Sequence, residues 1–219
     1  MMGSSGFPID LVLFAMIAGF LVLRLRGILG RRTGFERQAR PYQSPGVEEQ
    51  APTIDGRAEP VAAATRATPD PTSAVGQTIA QMQRIDRIFD PERFLDGAEQ
   101  AFRMIVEAFA AGDREPLRNL LSDEMYRAFS TVIDTREQAG QRQKTEIRAI
   151  QSATIEEAAL RDKIGSLTVR FVSDQVSVTN DRDGHIVAGA ESITEITDIW
   201  TFERDLTARD PTWRLVAAR

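Results

Sequence analysis

The 219-residue chain contains no cysteine, and it has a single histidine, two tryptophans and two tyrosines. Without cysteine it can form neither a disulfide nor a thiolate metal site, which fits a reducing compartment. Histidine is the commonest metal ligand and a frequent general base, so one copy leaves little room for either chemistry. Nucleophile motifs of the Gly-x-Ser-x-Gly type and phosphate-binding loops are also absent from the sequence. The composition therefore predicts no cofactor and no metal site.

Long apolar runs are missing too, except near the start, where residues 11–23 are 13 consecutive uncharged residues. Extended to 7–25, this stretch would span about 28 Å as a helix, close to the thickness of a bilayer core. No basic residue precedes it, whereas six arginines follow it by position 40. A signal peptide has the opposite charge order, so the sequence favours an uncleaved transmembrane helix over an interfacial helix or a cleaved signal.

The charge asymmetry around this segment predicts its orientation. Under the positive-inside rule the arginine-rich side stays in the cytosol, so the short N-terminus faces out and the rest of the chain faces the cytosol. Basic residues next to a membrane helix attract anionic lipid headgroups, although they could also do no more than set the topology. The residues predicted to contact headgroups are Arg24, Arg26, Arg31 and Arg32.

Composition divides the chain into three parts. Residues 1–40 carry a net charge of +4 and form the predicted anchor with its basic juxtamembrane segment. Residues 41–75 hold six of the ten prolines, lack Leu, Phe, Met and Trp, and predict a disordered proline-rich linker. Residues 76–219 carry a net charge of −6 and have the pattern of a folded domain. An acidic domain argues against nucleic acid as a partner, because phosphate binding needs clustered positive charge.

The first half of this domain has the apolar period of helices. One stripe packs either against the domain's own sheet or against a membrane or a partner helix; its candidate residues are Ile79, Met82, Ile85 and Phe89. Asp90 followed by Pro91 predicts the start of a second helix, which Gly112 ends. Asp113 and Ser122 predict the caps of two further helices.

The second half changes to the alternating period of strands. Strands are predicted over residues 147–160, 167–178, 193–206 and 213–217, with a hairpin turn at 180–184. Helices followed by antiparallel strands predict an α+β domain in which helices pack on one face of a curved antiparallel sheet.

Few residues in this domain suggest chemistry. Asp198 lies between apolar positions of a strand and is the best candidate for a buried carboxylate, whereas His185 lies beside a turn and is expected in solvent. Tyr126 is expected in the core with a wetted hydroxyl, and Trp200 and Trp213 are expected as cross-strand neighbours that pack or stack on a ligand. The 180–184 turn resembles a calcium loop only superficially, since the loop's first and twelfth ligand positions lack acids.

Four separated blocks of this half together carry a family resemblance. They are FVSDQVSVT at 171–179, DGHIVAG at 183–189, TDIWTFERD at 197–205 and RDPTWRLV at 209–216. In these blocks the chain resembles the Tim44-like domain family, named for the mitochondrial inner-membrane import-motor anchor, over roughly residues 76–219. The resemblance implies a fold similar to nuclear transport factor two, with helices and a bent sheet around an apolar pocket.

The same resemblance implies a function. Many bacterial members have one N-terminal membrane helix, a linker and a C-terminal domain, so the expected protein is a single-pass protein of the bacterial inner membrane. It implies a non-enzymatic adaptor or scaffold that binds protein partners at the cytosolic face, in assembly or translocation of membrane proteins. The chaperone-binding segments of the mitochondrial protein find no match in the linker here. A carrier with a lipid or small apolar ligand in the pocket is the alternative, and a pocket enzyme is the third.

Overall fold

A computed structural model describes residues 65–219, and within this range the helices precede all but one of the strands. The helices are α1 (Ala74–Ile85), α2 (Pro91–Ala111), α3 (Arg114–Leu120) and α4 (Asp123–Gln138). The strands are β1 (Thr65–Ala67), β2 (Arg142–Arg161), β3 (Ile164–Asn180), β4 (Ile186–Asp205) and β5 (Arg214–Ala218). The predicted anchor, most of the predicted linker and the four predicted headgroup arginines lie outside the described residues.

The described strands form one sheet in the order β1-β2-β3-β4-β5, and the helices pack on it, which confirms the α+β class. The sheet is mixed, whereas the sequence predicted an antiparallel one. The three long strands and β5 pair antiparallel, but Thr65 and Ala67 of β1 pair parallel with Ser152 and Thr154 of β2. The prediction missed β1 because all three of its residues are exposed, so it has no apolar period.

The structure also corrects the C-terminal boundary of the predicted linker at residue 75. Thr65–Ala67 is a strand of the sheet, and α1 already begins at Ala74 with Ser73 as its N-cap, whose hydroxyl accepts from the amide of Gly76 at 3.0 Å. Gly76 lies so close to the preceding turn that an added Cβ would be 2.1 Å from the carbonyl oxygen of Asp70. Pairing and capping, not apolar content, make residues 65–75 part of the folded unit.

The predicted helix ends are confirmed, because local hydrogen bonds form them. The carboxylate of Asp90 accepts from the amides of Glu92 and Arg93 at the start of α2, and Gly112 ends that helix with a left-handed φ of 76°. Asp113 and Ser122 cap α3 and α4 in the same way. Of the described helices, none is both long enough and apolar enough to cross a bilayer.

The core lies between α2 and the sheet. The ring of Phe102 on α2 stacks on Phe171 of β3 with centroids 4.5 Å apart and meets Trp200 of β4 edge-on at 4.7 Å. All three side chains are buried. Three register shifts between β2 and β3 mark bulges, which bend strands and increase their twist. The bent sheet can therefore hold the 21-residue helix α2 across one face.

The two tryptophans are not cross-strand neighbours, contrary to the prediction. Trp200 is opposite Ala218 of β5. Trp213 precedes β5 and instead contacts Phe89 and Phe94, with ring centroids 5.5 and 4.9 Å away. The turn before β5 is longer than a tight hairpin, so Trp213 lies beyond the paired residues and meets the helices.

We expect the Phe102–Phe171–Trp200 cluster to dominate the stability of the domain. Replacing Phe102 with Ala leaves a cavity between α2 and the sheet, and truncations of this kind cost about 3–5 kcal/mol of unfolding free energy. Glu107→Ala, at an exposed position of the same helix, should change that free energy by no more than about 0.5 kcal/mol. Urea unfolding followed by tryptophan fluorescence measures both, and equal effects would contradict the assignment.

Candidate functional site

An open cleft of about 420 Å³ lies between the α1–α2 loop, α2 and the connection from β4 to β5. We call it the α2 cleft. Its lining is mainly apolar, with a few charged side chains. The lining includes Asp86, Ile88, Phe89, Asp90, Arg93, Phe94, Gly97, Met104, Arg204 and Trp213.

Aromatic rings form the inner wall of the α2 cleft. Phe94 meets Trp213 edge-on at 4.9 Å and Phe202 at 6.0 Å, and Phe89 lies 5.5 Å from Trp213. Phe89, Phe94 and Phe202 are buried in the core, so their positions are held from behind. This wall is a preformed apolar surface rather than a set of freely rotating side chains.

Two large apolar side chains at the α2 cleft remain in solvent. Ile88, in the α1–α2 loop, is 84% exposed, and Met104, nearly three turns further along α2 than Phe94, is 46% exposed. The loop that carries Ile88 is held by Asp86, whose carboxylate accepts from the amide of Ile88 at 3.1 Å. Exposed apolar groups next to an apolar cleft favour burial of a further apolar surface there.

A buried ion pair joins the loop to the sheet at the base of the α2 cleft. Arg204 of β4 donates to the carboxylate of Asp86, and these side chains are only 10% and 9% exposed. The guanidinium also lies 5.6 Å above the ring of Trp213. Removing one member would leave the other charge buried without its partner, which is costly. The pair therefore fixes the loop that presents Ile88.

Asp198 is fully buried, as the sequence predicted, but it does not line the α2 cleft. Its Oδ2 lies 3.4 Å from Nε2 of Gln175, which also donates to Ser173 at 2.9 Å. These three side chains form a buried polar group on the helix-facing side of β3 and β4. The structure thus separates the best candidate acid from the cleft.

His185 is in solvent, as predicted, with its side chain 79% exposed beside the β3–β4 turn. Its imidazole, Asp181 and Asp183 bring possible ligand atoms within 4.8 Å of one another. However, Asp181 Oδ1 accepts from the amides of Asp183 and His185, both at 2.9 Å, so this carboxylate builds the turn. Tyr126 is half-buried, and its hydroxyl accepts from Arg118 at 3.0 Å.

The predicted membrane or partner stripe is mostly internal. Ile79, Met82 and Phe89 are buried in the domain core, whereas Ile85 is 37% exposed. Three of the four residues are therefore buried inside the domain, and the ring of Phe89 contacts Phe94 and Trp213 there. The apolar period of the sequence also includes Ile88 and predicts it on the same helical stripe. Because α1 ends at Ile85, Ile88 instead lies in the loop and is exposed.

Residues 75–219 match the model of the Tim44-like domain. The chain belongs to the Tim44-like domain family. This is a family of protein-interacting scaffold and anchor domains and is generally non-catalytic. No curated protein matches the chain in sequence.

Two solved structures are similar to this Tim44-like domain protein. One is the crystal structure of the intermembrane space region of the chloroplast protein ARC6, with 10% identity and a TM-score of 0.42 over 58% of this chain and 93% of that one. The other is a putative dehydratase of the NTF2-like family from Streptomyces avermitilis, with 12% identity and a TM-score of 0.32 over 59% of this chain and 95% of that one.

We expect Asp86 and Arg204 to be strongly coupled. Asp86→Asn and Arg204→Met should each cost about 3–5 kcal/mol of unfolding free energy, because each leaves a buried group without its partner. The double variant should cost less than the sum of the two by more than about 1 kcal/mol.

The matched control for this cycle is the exposed pair of Glu146 and Arg148, whose charged atoms are 2.9 Å apart. Its coupling, measured with Glu146→Gln and Arg148→Gln, should be about 0–1 kcal/mol because solvent screens exposed charges. Urea unfolding of all six variants measures both couplings, and additive effects at Asp86 and Arg204 would show that the pair does not hold the loop.

Proposed function

We propose that this protein is a membrane-anchored, non-enzymatic adaptor that binds a protein partner through the α2 cleft. The observation that carries the proposal is the open apolar cleft with Ile88 and Met104 in solvent at its edge. Membership of a family of protein-interacting domains supports the same reading. A partner that inserts an apolar side chain against Phe94 and Trp213 would bury these exposed groups, which favours association.

The charged groups at the α2 cleft favour binding over catalysis. The carboxylate of Asp86 is engaged by Arg204, and that of Asp90 accepts from two amides of α2 at 2.8 and 3.0 Å. A general acid or base needs a carboxylate or imidazole free to exchange a proton with a substrate. Asp198 and His185, the candidate groups from the sequence, both lie away from the cleft lining.

The membrane part of the proposal rests on the sequence. The apolar run at 11–23 and the arginines after it support a single-pass anchor in the bacterial inner membrane, with the domain in the cytoplasm. The linker, which the described strand β1 shortens to residues 41–64, would then let the domain reach partners on the order of 25–30 Å from the bilayer, the span of a flexible coil of that length. Assembly or translocation of membrane proteins is the proposed setting.

The anchor and its orientation predict the behaviour of the native chain in cells. The full chain should stay in the membrane pellet after alkaline extraction, and a tag at its C-terminus should resist protease added to spheroplasts until the membrane is broken. The four charge changes Arg24→Gln, Arg26→Gln, Arg31→Gln and Arg32→Gln together should make a fraction of the tags accessible, because the orienting charge is lost. A soluble chain, or a tag already accessible without them, would refute this part.

Gly97 on α2 offers a sharp test of the α2 cleft. A Cβ added at Gly97 meets no atom within 4 Å, so Gly97→Ala leaves the cleft open and should stabilise the helix by up to about 1 kcal/mol. Gly97→Leu extends a larger side chain into the cleft. We expect Gly97→Leu to lower recovery of a stoichiometric partner at least tenfold in crosslinked membranes, and Gly97→Ala to leave it unchanged. Equal recovery with both folded variants would contradict the docking role.

A carrier of lipid or of a small apolar ligand is the second candidate function. The cleft volume of about 420 Å³ and its apolar lining favour it, because small-molecule sites commonly have this size and character. Organic extraction of the purified full chain, followed by mass spectrometry, separates the two functions. A lipid bound at one per chain, lost in Gly97→Leu and found without a protein partner, would establish the carrier in place of the adaptor.

A further inference from the structure

Strand β1 is held in the fold by very few contacts. Its three residues are all exposed, and they pair only with residues 152–154 of the 20-residue strand β2. Burial of apolar surface therefore contributes little to its docking. Its backbone hydrogen bonds and one side chain, Arg66, must hold it in place.

The guanidinium of Arg66 forms ion pairs with two carboxylates of α2. Its Nε and Nη2 donate to the two oxygens of Glu99 at 2.8 and 3.1 Å, and its Nη1 lies 2.9 Å from Asp96. A bidentate pair between arginine and a carboxylate, as with Glu99, is both strong and specific in geometry. The side chain of Glu99 is 12% exposed, whereas that of Arg66 is 45% exposed. The carboxylate of Glu99 is thus mostly buried, whereas the guanidinium of Arg66 lies at the surface.

The edge of β2 next to this pair extends far beyond β1. Within residues 65–219, β1 is the strand that adjoins β2 on the side away from β3, and it covers three of its twenty residues. A sheet edge is a template for an added strand, whose backbone supplies affinity and whose side chains supply specificity. Thr65–Ala67 shows which strand this edge accepts, namely an extended segment, parallel to β2, with an arginine facing α2.

We propose that the β2 edge, together with Asp96 and Glu99, is a binding groove for an extended arginine-bearing peptide of a partner protein, and that Thr65–Ala67 is its displaceable internal occupant. The arginine is required because its absence would leave Glu99 buried without a counter-charge. Lysine cannot replace it fully, since it lacks the planar fork that matches both carboxylate oxygens. Asp96 and Glu99 do not line the α2 cleft, so this groove is independent of the proposed function.

Competition between the internal strand and a peptide makes the groove testable on the full chain in detergent micelles. The apparent association constant for an added peptide is proportional to the fraction of chains whose groove is empty. Weakening the internal occupant with Arg66→Gln should therefore tighten binding of a fluorescent synthetic peptide with the sequence of residues 61–69. We expect at least a tenfold lower dissociation constant than with the unchanged chain, measured by fluorescence anisotropy.

Three controls make the outcome decisive. The same peptide with glutamine in place of its arginine should bind the Arg66→Gln chain at least tenfold more weakly, and adding Glu99→Gln to that chain should remove the preference for arginine. Hydrogen exchange at residues 152–154 should be faster in Arg66→Gln and slow again with the arginine peptide. If Arg66→Gln does not fold, Arg66→Lys replaces it, and the same ranking of peptides is expected.

Three results would overturn the proposal. The first is equal affinity for the arginine and glutamine peptides in a folded variant, and the second is no binding to that variant. The third is concentration-dependent dimerisation of the unchanged chain that the peptide dissolves, because the groove would then exchange β1 with a second copy of this chain rather than bind a partner.

Discussion

The packing of α2 against the bent sheet is the interaction on which every other feature depends. Phe102 holds the middle of the helix against Phe171 and Trp200, so the helix can neither rotate nor slide without opening the core. Because this face of α2 is held in the core, the residues on its other faces are held in position as well. One of them presents Phe94 and Gly97 to the α2 cleft, and another presents Asp96 and Glu99 to β1. A single helix therefore positions two possible contact surfaces.

Both surfaces are completed by segments that come from elsewhere in the chain and carry a charge. At the α2 cleft the loop is tied to β4 through Asp86 and Arg204, and at the sheet edge β1 is tied to α2 through Arg66 and Glu99. The two pairs differ in exposure, since both members of the first are buried whereas Arg66 is nearly half exposed. A buried pair favours a permanent attachment, because separating it leaves two desolvated charges. Solvent can take over an exposed guanidinium, so the second attachment is the easier one to exchange.

The sequence predicted the features that local chemistry determines. Asp90, Gly112 and Ser122 mark helix ends because a side-chain cap or a left-handed backbone acts within a few residues. The period of β3 and β4 likewise follows from the alternation of side chains across a sheet. The family resemblance was confirmed by the match over residues 75–219, and its blocks lie in strands and turns of this sheet. In contrast, β1 depends on Glu99, a residue distant in the chain, and its own three residues carry no apolar signal.

The α2 cleft could not be predicted for the same reason. Ile88 belongs to a loop after α1, and Trp213 belongs to the last connection, so their proximity depends on the pair between Asp86 and Arg204. The helical period left open whether the stripe that includes Phe89 packs inside the domain or outside it. The structure decides this, because α1 ends at Ile85 and the chain turns there and brings Phe89 into the core. Apolar period identifies which residues are buried in a helix, but it cannot say which neighbours cover them. Docking surfaces arise where tertiary contacts leave such residues uncovered, and only the assembled structure shows that Ile88 and Met104 are two of them.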